Sequence, residues 1–247
     1  MAANKGIQIR ANDQIVISIY KNICEEFVNY RGLQIDDPIM DNKTLSEEIF
    51  KKGHVVIKCK INSDKYESKK EQKNVYIVLY HFLTSDSLKA VDIKKVIQNT
   101  QSIENKGKKW NSYDIILITQ NTVSTHISNF IREHQSKEKI QTGVKCLFDH
   151  GDKYCNCGRN NIFAYTYSNF IITIPKHILV PEYRVLSLDE KNSVLRQLYI
   201  SSTGGKLPKI KKSDPCVIWS KATPGDVMEF TRNDEVTGKS IYYRLVV

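Results

Sequence analysis

The 247-residue chain reads as an α/β domain over residues 1–140 and a smaller α+β domain over 169–247, joined by an insertion at 141–168. Three observations carry that reading. Helix-period and strand-length apolar segments alternate through the first part, the pattern of a layered α/β fold. The segment 114–119 (DIILIT) is apolar almost throughout, as a strand covered on both faces must be. From about Ala164 the texture shifts to short strands punctuated by Pro and Gly around one capped helix.

Ile15, Ile19, Ile23 and Phe27 recur every four residues, with Asp13 as cap and Arg31-Gly32 as stop. That spacing predicts an amphipathic helix of about five turns. A polar stretch containing Asp36-Asp37-Pro38 and Ser46-Glu47-Glu48 follows. Segments 55–61 (VVIKCKI) and 75–83 (VYIVLYHFL) predict two strands, and the polar residues between them are many for a hairpin turn. A second helix is expected over 87–101, with Leu88, Val91, Val96 and Ile97 on one side. The basic loop Lys106-Gly107-Lys108-Lys109 leads to strand 114–119, and 124–134 predicts a helix. In the second domain, 169–174 predicts a strand and 187–199 a helix, where Ser187 and Glu190 fit a capping box. Three strands are expected at 216–219, 226–232 and 240–247, separated by Pro224-Gly225 and by a turn ending in Gly238.

Composition narrows the function classes. At 40% hydrophobic and 26% charged residues, the chain is unlike a disordered one. No apolar run approaches the roughly eighteen residues of a membrane span, and MAANKGIQIR lacks the apolar core of a secretory signal. Membrane and secreted classes are thereby set aside. The net charge of +10 is spread over both halves and is carried mostly by lysine. Lysine neutralises phosphate as a point charge, whereas bidentate base reading favours arginine. The composition therefore permits backbone contact with nucleic acid and argues against a sequence reader. Lys206, Lys209, Lys211 and Lys212 make the densest basic patch, read as a solvated loop or a partner-subunit contact rather than a DNA grip.

Six cysteines without a secretory signal imply free thiols or a metal site. Cys146, His150, Cys155 and Cys157 match the Cys₃His ligand set of structural zinc, although the spacing is not a standard C-x2-C pair. Bound zinc and plain free thiols both stay open, and the zinc content of the purified protein separates them. No cofactor is otherwise required.

The ordered elements of the C-terminal part are His177-x-Leu179-Val180-Pro181-Glu182, Leu207-Pro208-Lys209-Ile210, Asp214-Pro215, Pro224-Gly225-Asp226-Val227, Arg232-Asn233-Asp234-Glu235-x-x-Gly238 and Tyr243-Arg244. This set closely resembles the C-terminal assembly domain of the fifth common subunit of eukaryotic nuclear RNA polymerases, a domain similar to the small archaeal counterpart of that subunit. Tyr183 stands where that family has a second His, Asp234 and Val236 replace a Ser and a Thr, and 201–205 makes an unusual connection. The resemblance implies subunit-assembly roles for His177, Pro181, Leu207, Pro208, Asp214, Pro215, Arg232, Glu235, Gly238, Tyr243 and Arg244.

The eukaryotic subunit also has an N-terminal jaw domain, reminiscent of restriction-endonuclease-like nucleases. It opens with a helix ending in Arg-Gly, as Tyr30-Arg31-Gly32 does, and has a strand before a T-P-S-A loop and a helix. Here 115–120 (IILITQ) precedes Thr122-Val123-Ser124-Thr125. By resemblance Thr122, Ser124 and Thr125 are DNA-proximal, with Lys108 and Lys109 nearby in sequence. Hydroxyls and N–H groups at such a strand-to-helix turn bind phosphate without reading bases, and Ser124 equally suits an N-cap.

No catalytic residue is assigned. A nuclease of that architecture needs an acid and a Glu-x-Lys on adjacent strands around Mg²⁺. Asp64, Glu67 and Lys69 supply the letters, but KYESKKEQK has no apolar flank that would place it on a buried strand. His54, His81 and His126 read as packing or surface residues. The expectation is a non-catalytic subunit of a multisubunit DNA-directed RNA polymerase. Its partners would be the largest and other polymerase subunits and downstream duplex DNA, and no membrane. The alternative is a stand-alone nucleic-acid-binding protein or a degenerate nuclease-like domain. Lys/Ile/Asn-rich usage suggests a large DNA virus or an AT-rich protist, hence host cytoplasm and virion if viral, nucleus if cellular.

Overall fold

A computed structural model describes residues 11–61, 74–81, 88–104, 113–141, 161–201, 205–234 and 238–247. The chain divides into two compact units, Met1–Ile171 and Ile172–Val247.

The first unit opens with helix α1 (Ala11–Asn22), a single π turn at Ile23–Phe27 and a last short turn, α2 (Val28–Tyr30). Asp13 lies inside α1 and is not its cap. Val16, Ile19, Tyr20, Ile23, Phe27 and Val28 are buried, whereas Ile15, expected on the same stripe, is exposed. A four-residue interval overshoots the helical period by about 40° per repeat, so the stripe drifts around the rod. The wide turn, in which the Val28 N–H donates to the Ile23 carbonyl, resets it.

The polar stretch that follows holds two elements not foreseen. Strand β1 (Leu33–Ile35) precedes helix α3 (Asn42–Lys52). Asp41 caps α3, its Oδ2 accepting from the Lys43 and Thr44 N–H groups at 3.2 and 3.5 Å. Only Leu45 and Ile49 of α3 are buried, too thin a stripe to stand out among charges.

Strands β2 (His54–Ile61) and β3 (Asn74–Tyr80) pair antiparallel, with β1 on the outer edge of β2. Helix α4 (Ala90–Glu104) starts three residues later than expected. Its buried positions include Ile93, Val96 and Ile97; Val91, two residues before Ile93, points to the opposite side and is 58% exposed. Strand β4 (Tyr113–Thr119) is buried at every position and runs parallel to β3. Helix α5 (Thr125–Gln141) leads away from it.

The segment 161–166, expected to belong to the insertion, is strand β5 (Asn161–Thr166), which lies parallel to β4 and completes a sheet in the order β1-β2-β3-β4-β5. Alternation sorts the side chains. Tyr76, Val78, Tyr80, Tyr113, Ile115 and Leu117 face α4 and α5, where they pack with Ile93, Ile97, Ile127 and Ile131. On the other face Arg31, just past α2, stacks over Phe27, Phe163 and Tyr165 with its guanidinium carbon 4.8, 5.8 and 5.9 Å from the ring centres. A mixed sheet covered on both faces by helices is the α/β layering expected.

No strand occupies 169–174. Single 3₁₀ turns stand at Tyr167–Asn169 and Ile174–Lys176, the second containing Pro175, which lacks the N–H a ladder needs. Phe170 is buried instead, edge-on to Phe27 at 4.9 Å.

The second unit contains β6 (Glu182–Val185), α6 (Leu188–Gln197), β7 (Lys209–Ile210), α7 (Pro215–Ser220), β8 (Val227–Asp234) and β9 (Gly238–Val246). Its sheet runs β6-β8-β9-β7, with β7 parallel to β9 and the other pairs antiparallel. The capping box forms as expected: Ser187 Oγ accepts from the Glu190 N–H at 3.3 Å, and Glu190 Oε2 accepts from the Ser187 N–H at 2.8 Å. The expected strand at 216–219 is helix α7. Asp214 Oδ1 accepts from the Cys216 N–H at 2.9 Å and Pro215 sits in the first turn, so an apolar run with no period of its own is turned helical by its cap.

Candidate functional site

The motif residues of the second unit sort by what they touch. Val227 and Leu245 face one side of the sheet, with Leu186, Leu195 of α6 and Leu207; Met228 and Val246 face the other, with Ile210, Phe230 and Val217 of α7. Leu207 is therefore a core residue. The Pro208 carbonyl accepts from the Leu245 N–H at 2.8 Å, which docks edge strand β7 on β9. Asp214 and Pro215 start α7, and Gly238 takes φ 73 where β9 begins. Each of these residues has a place in building the module.

Tyr243 and Arg244 sit on opposite faces of β9. Burial raises the Tyr243 phenol, and the Glu229 carboxylate on the neighbouring strand adds to the shift. The Arg244 guanidinium lies 5.9 and 5.7 Å from the Phe230 and Tyr242 ring centres, which stack on each other at 5.2 Å. Arg232 is exposed near the far end of β8. Glu235 lies outside the described residues.

Among the described residues of the unit, His177 and Pro181 bracket the most exposed apolar segment. His177 Nδ1 accepts from the Leu179 N–H at 3.2 Å, and the His177 carbonyl accepts from the Val180 N–H at 2.9 Å. The resulting tight turn holds Ile178 and Leu179 in solvent at 94% and 82% exposure, and Pro181 feeds the chain into β6. Each side chain forgoes about 2 kcal/mol that burial would give it.

Sequence reading missed the polar hub of this unit. Arg184 donates from Nε to Glu229 Oε1 at 2.8 Å, from Nη2 to Glu229 Oε2 at 3.2 Å and from Nη1 to Glu190 Oε1 at 2.6 Å. It thereby ties β6 to β8 and to the first turn of α6. The Arg184 contact, helped by the Ser187 N–H, holds the Glu190 carboxyl down at about 2. The alternation Tyr183-Arg184-Val185 was the available signal, masked because β6 is only 4 residues long.

In the first unit, Thr122, Ser124 and Thr125 are exposed between β4 and the start of α5. Ser124 is the N-cap, its Oγ accepting from the Ile127 N–H at 3.3 Å, and half-buried Val123 packs on the core beneath α4 and α5. His81 is buried and His126 exposed; His54 is half-buried with its ring 5.4 Å from that of Tyr80. Lys108, Lys109, Asp64, Glu67, Lys69, Cys146, His150, Cys155 and Cys157 all lie outside the described residues. Among the described residues no cluster of three or more His, Cys, Asp or Glu side chains is arranged to hold a metal. Cys24, Cys59 and Cys216 are free, and burial raises their thiols to about 11, 12 and 12. No described helix is long and apolar enough to cross a membrane.

The second unit is thus a structural module whose motif residues shape a fold and an exposed turn. Residues 172–246, almost the whole unit, match the model of the RNA polymerase Rpb5 C-terminal domain. The DNA-directed RNA polymerase subunit Rpo5 of Thermococcus kodakarensis is 48% identical over 71 residues, 29% of this chain and 84% of that protein. Its counterparts in Aeropyrum pernix and Methanococcus maripaludis are 45% and 38% identical over 74 residues, 30% of this chain in each case and 80% and 85% of theirs. The chain belongs to the Rpb5/Rpo5 family and is a non-catalytic subunit of a multisubunit DNA-directed RNA polymerase.

Proposed function

We propose that the second unit docks this chain on the largest polymerase subunit while the first unit lies as a jaw along downstream duplex DNA. The observation that carries the docking is the turn at His177–Val180, hydrogen-bonded into one shape and presenting Ile178 and Leu179 at 94% and 82% exposure. An apolar pair held rigidly in water loses little entropy on binding, which is what an interface anchor requires. In the test, the full chain carrying Ile178→Asp and Leu179→Asp is co-expressed with the other subunits. Loss of co-purification with the largest subunit, at an unchanged unfolding midpoint, supports the proposal; retained assembly sinks it.

For the jaw, the support is the exposed hydroxyl turn of Thr122, Ser124 and Thr125 at the start of α5, 17 residues long. Its N–H groups and positive dipole end favour phosphate, and Lys108 and Lys109 add charge shortly before β4 in sequence. Charge reversal at both lysines should weaken DNA contact in a salt-dependent way. The restriction-endonuclease-like architecture is part of this proposal, supported by a mixed sheet with an antiparallel β2–β3 pair and parallel β3, β4 and β5. The compartment follows the enzyme: nucleus for a cellular polymerase, host cytoplasm and virion for a viral one.

A further inference from the structure

Helix α6 ends in a Schellman motif. The Ile200 N–H donates to the Leu195 carbonyl at 2.9 Å and the Tyr199 N–H to the Arg196 carbonyl at 3.1 Å, while Ile200 packs against the core that contains Leu195. The geometry requires a left-handed residue between them, a position that glycine normally fills. Here it is Tyr199, at φ 52. A Cβ is disfavoured in that region, and a bulky side chain there marks strain kept for a reason.

The fold gives nothing visible in return. The Tyr199 side chain is 96% exposed, and neighbouring Leu198 is 46% exposed. Lys221, the other described non-glycine residue with positive φ, also closes a helix, but its side chain is half-buried. Tyr199 combines backbone strain with an apolar ring in solvent, and glycine would relieve both.

The charged residues that flank it most closely in sequence are basic. Arg196 stands in the same last turn and Lys206 beside core residue Leu207, both exposed, with Lys209, Lys211 and Lys212 following. The acidic residues of α6, Asp189 and Glu190, are in its first turn, at the opposite end. Among the described residues of this unit Tyr199 is the one exposed Phe, Trp or Tyr. Single-stranded nucleic acid is held by successive stacking rings, whereas one rigid Tyr next to Leu198, with Arg196 in the preceding turn, suits a protein pocket.

We infer that Tyr199 is a second docking anchor, entering an apolar cup edged by carboxylates on another subunit of the same polymerase. The inference rests on the reading that the second unit faces other subunits, and uses an element distinct from the Ile178–Leu179 turn.

The test uses the full chain added to polymerase purified without it. Tyr199→Gly should unfold at or above the wild-type midpoint, because strain is relieved, yet raise the dissociation constant about tenfold or more; Tyr199→Phe should stay within about threefold of wild type. Wild-type affinity in Tyr199→Gly overturns this inference alone, whereas failure of the wild-type chain to assemble overturns the docking reading with it. A loss of affinity seen only when single-stranded nucleic acid is present also overturns it, in favour of base stacking.

Discussion

Asn161 reaches Asp114 Oδ1 twice, with its backbone N–H at 3.0 Å and its side-chain amide at 2.9 Å. Asp114 is the second residue of β4, is buried, and pairs in register with Asn161, so one carboxylate fixes where β5 joins the sheet.

Replacing Asp114 with Ala leaves two donors without that acceptor in a half-buried site, and should cost about 2 kcal/mol. Asp114→Asn keeps an acceptor oxygen and should cost about 1 kcal/mol. Urea unfolding of the full chain measures both. Equal losses for the two variants would mean that charge rather than hydrogen bonding holds the strand.

The same pair explains part of what sequence reading missed. Continuous burial made β4 legible from 114–119 alone, because no polar residue interrupts it between Asp114 and Thr119. Strand β5 (NIFAYT) is apolar at alternate and adjacent positions without a clear period, and its identity comes from pairing with a strand 47 residues away. Helix α7 was misread for the complementary reason: a four-residue apolar run carries no period, and Asp214 and Pro215 decide it. The C-terminal site was legible as motif order, but motif order does not separate builders from binders. Leu207, Asp214 and Gly238 shape the module, whereas Ile178, Leu179 and Tyr199 face solvent.

The Arg184 hub predicts an acid-dependent loss of stability. The Glu190 carboxyl, ordinarily near 4.5, is held at about 2 by Arg184 and the Ser187 N–H. A depressed carboxylate contributes stability above its unfolded value and loses it as pH falls through the folded one. The unfolding midpoint of wild type should therefore exceed that of Glu190→Gln above pH 4.5, and the two should converge towards pH 2. Asp36, Asp41 and Glu48 in the first unit are also lowered, so only the difference between variants isolates this site. A difference independent of pH would remove the ion pair from the explanation.

The raised thiols predict a reactivity pattern. With Cys24 raised to about 11 and Cys59 and Cys216 to about 12, the thiolate fraction at pH 8 is about one in a thousand or less. Alkylation of the native chain followed by peptide mass spectrometry should leave these three unlabelled, and unfolding should expose them. Native labelling at Cys24 or Cys59 would contradict their burial, and labelling at half-buried Cys216 would contradict its raised thiol.

Ser124 offers the sharpest separation between fold and function in the first unit. Its hydroxyl caps α5 by accepting from the Ile127 N–H, and the same turn is the proposed phosphate contact. Ser124→Ala loses the cap and should cost about 1 kcal/mol, whatever the turn binds. Ser124→Asp keeps a capping oxygen and places a negative charge at the positive end of α5, so stability should hold or rise slightly. A phosphate approaching that carboxylate is repelled. Polymerase carrying Ser124→Asp should therefore bind downstream duplex more weakly than polymerase carrying Ser124→Ala, with the gap narrowing as salt screens the repulsion. The two variants thus reverse order between unfolding and DNA-binding measurements. The same order in both would assign Ser124 to the helix cap alone and move the DNA contact elsewhere on the jaw.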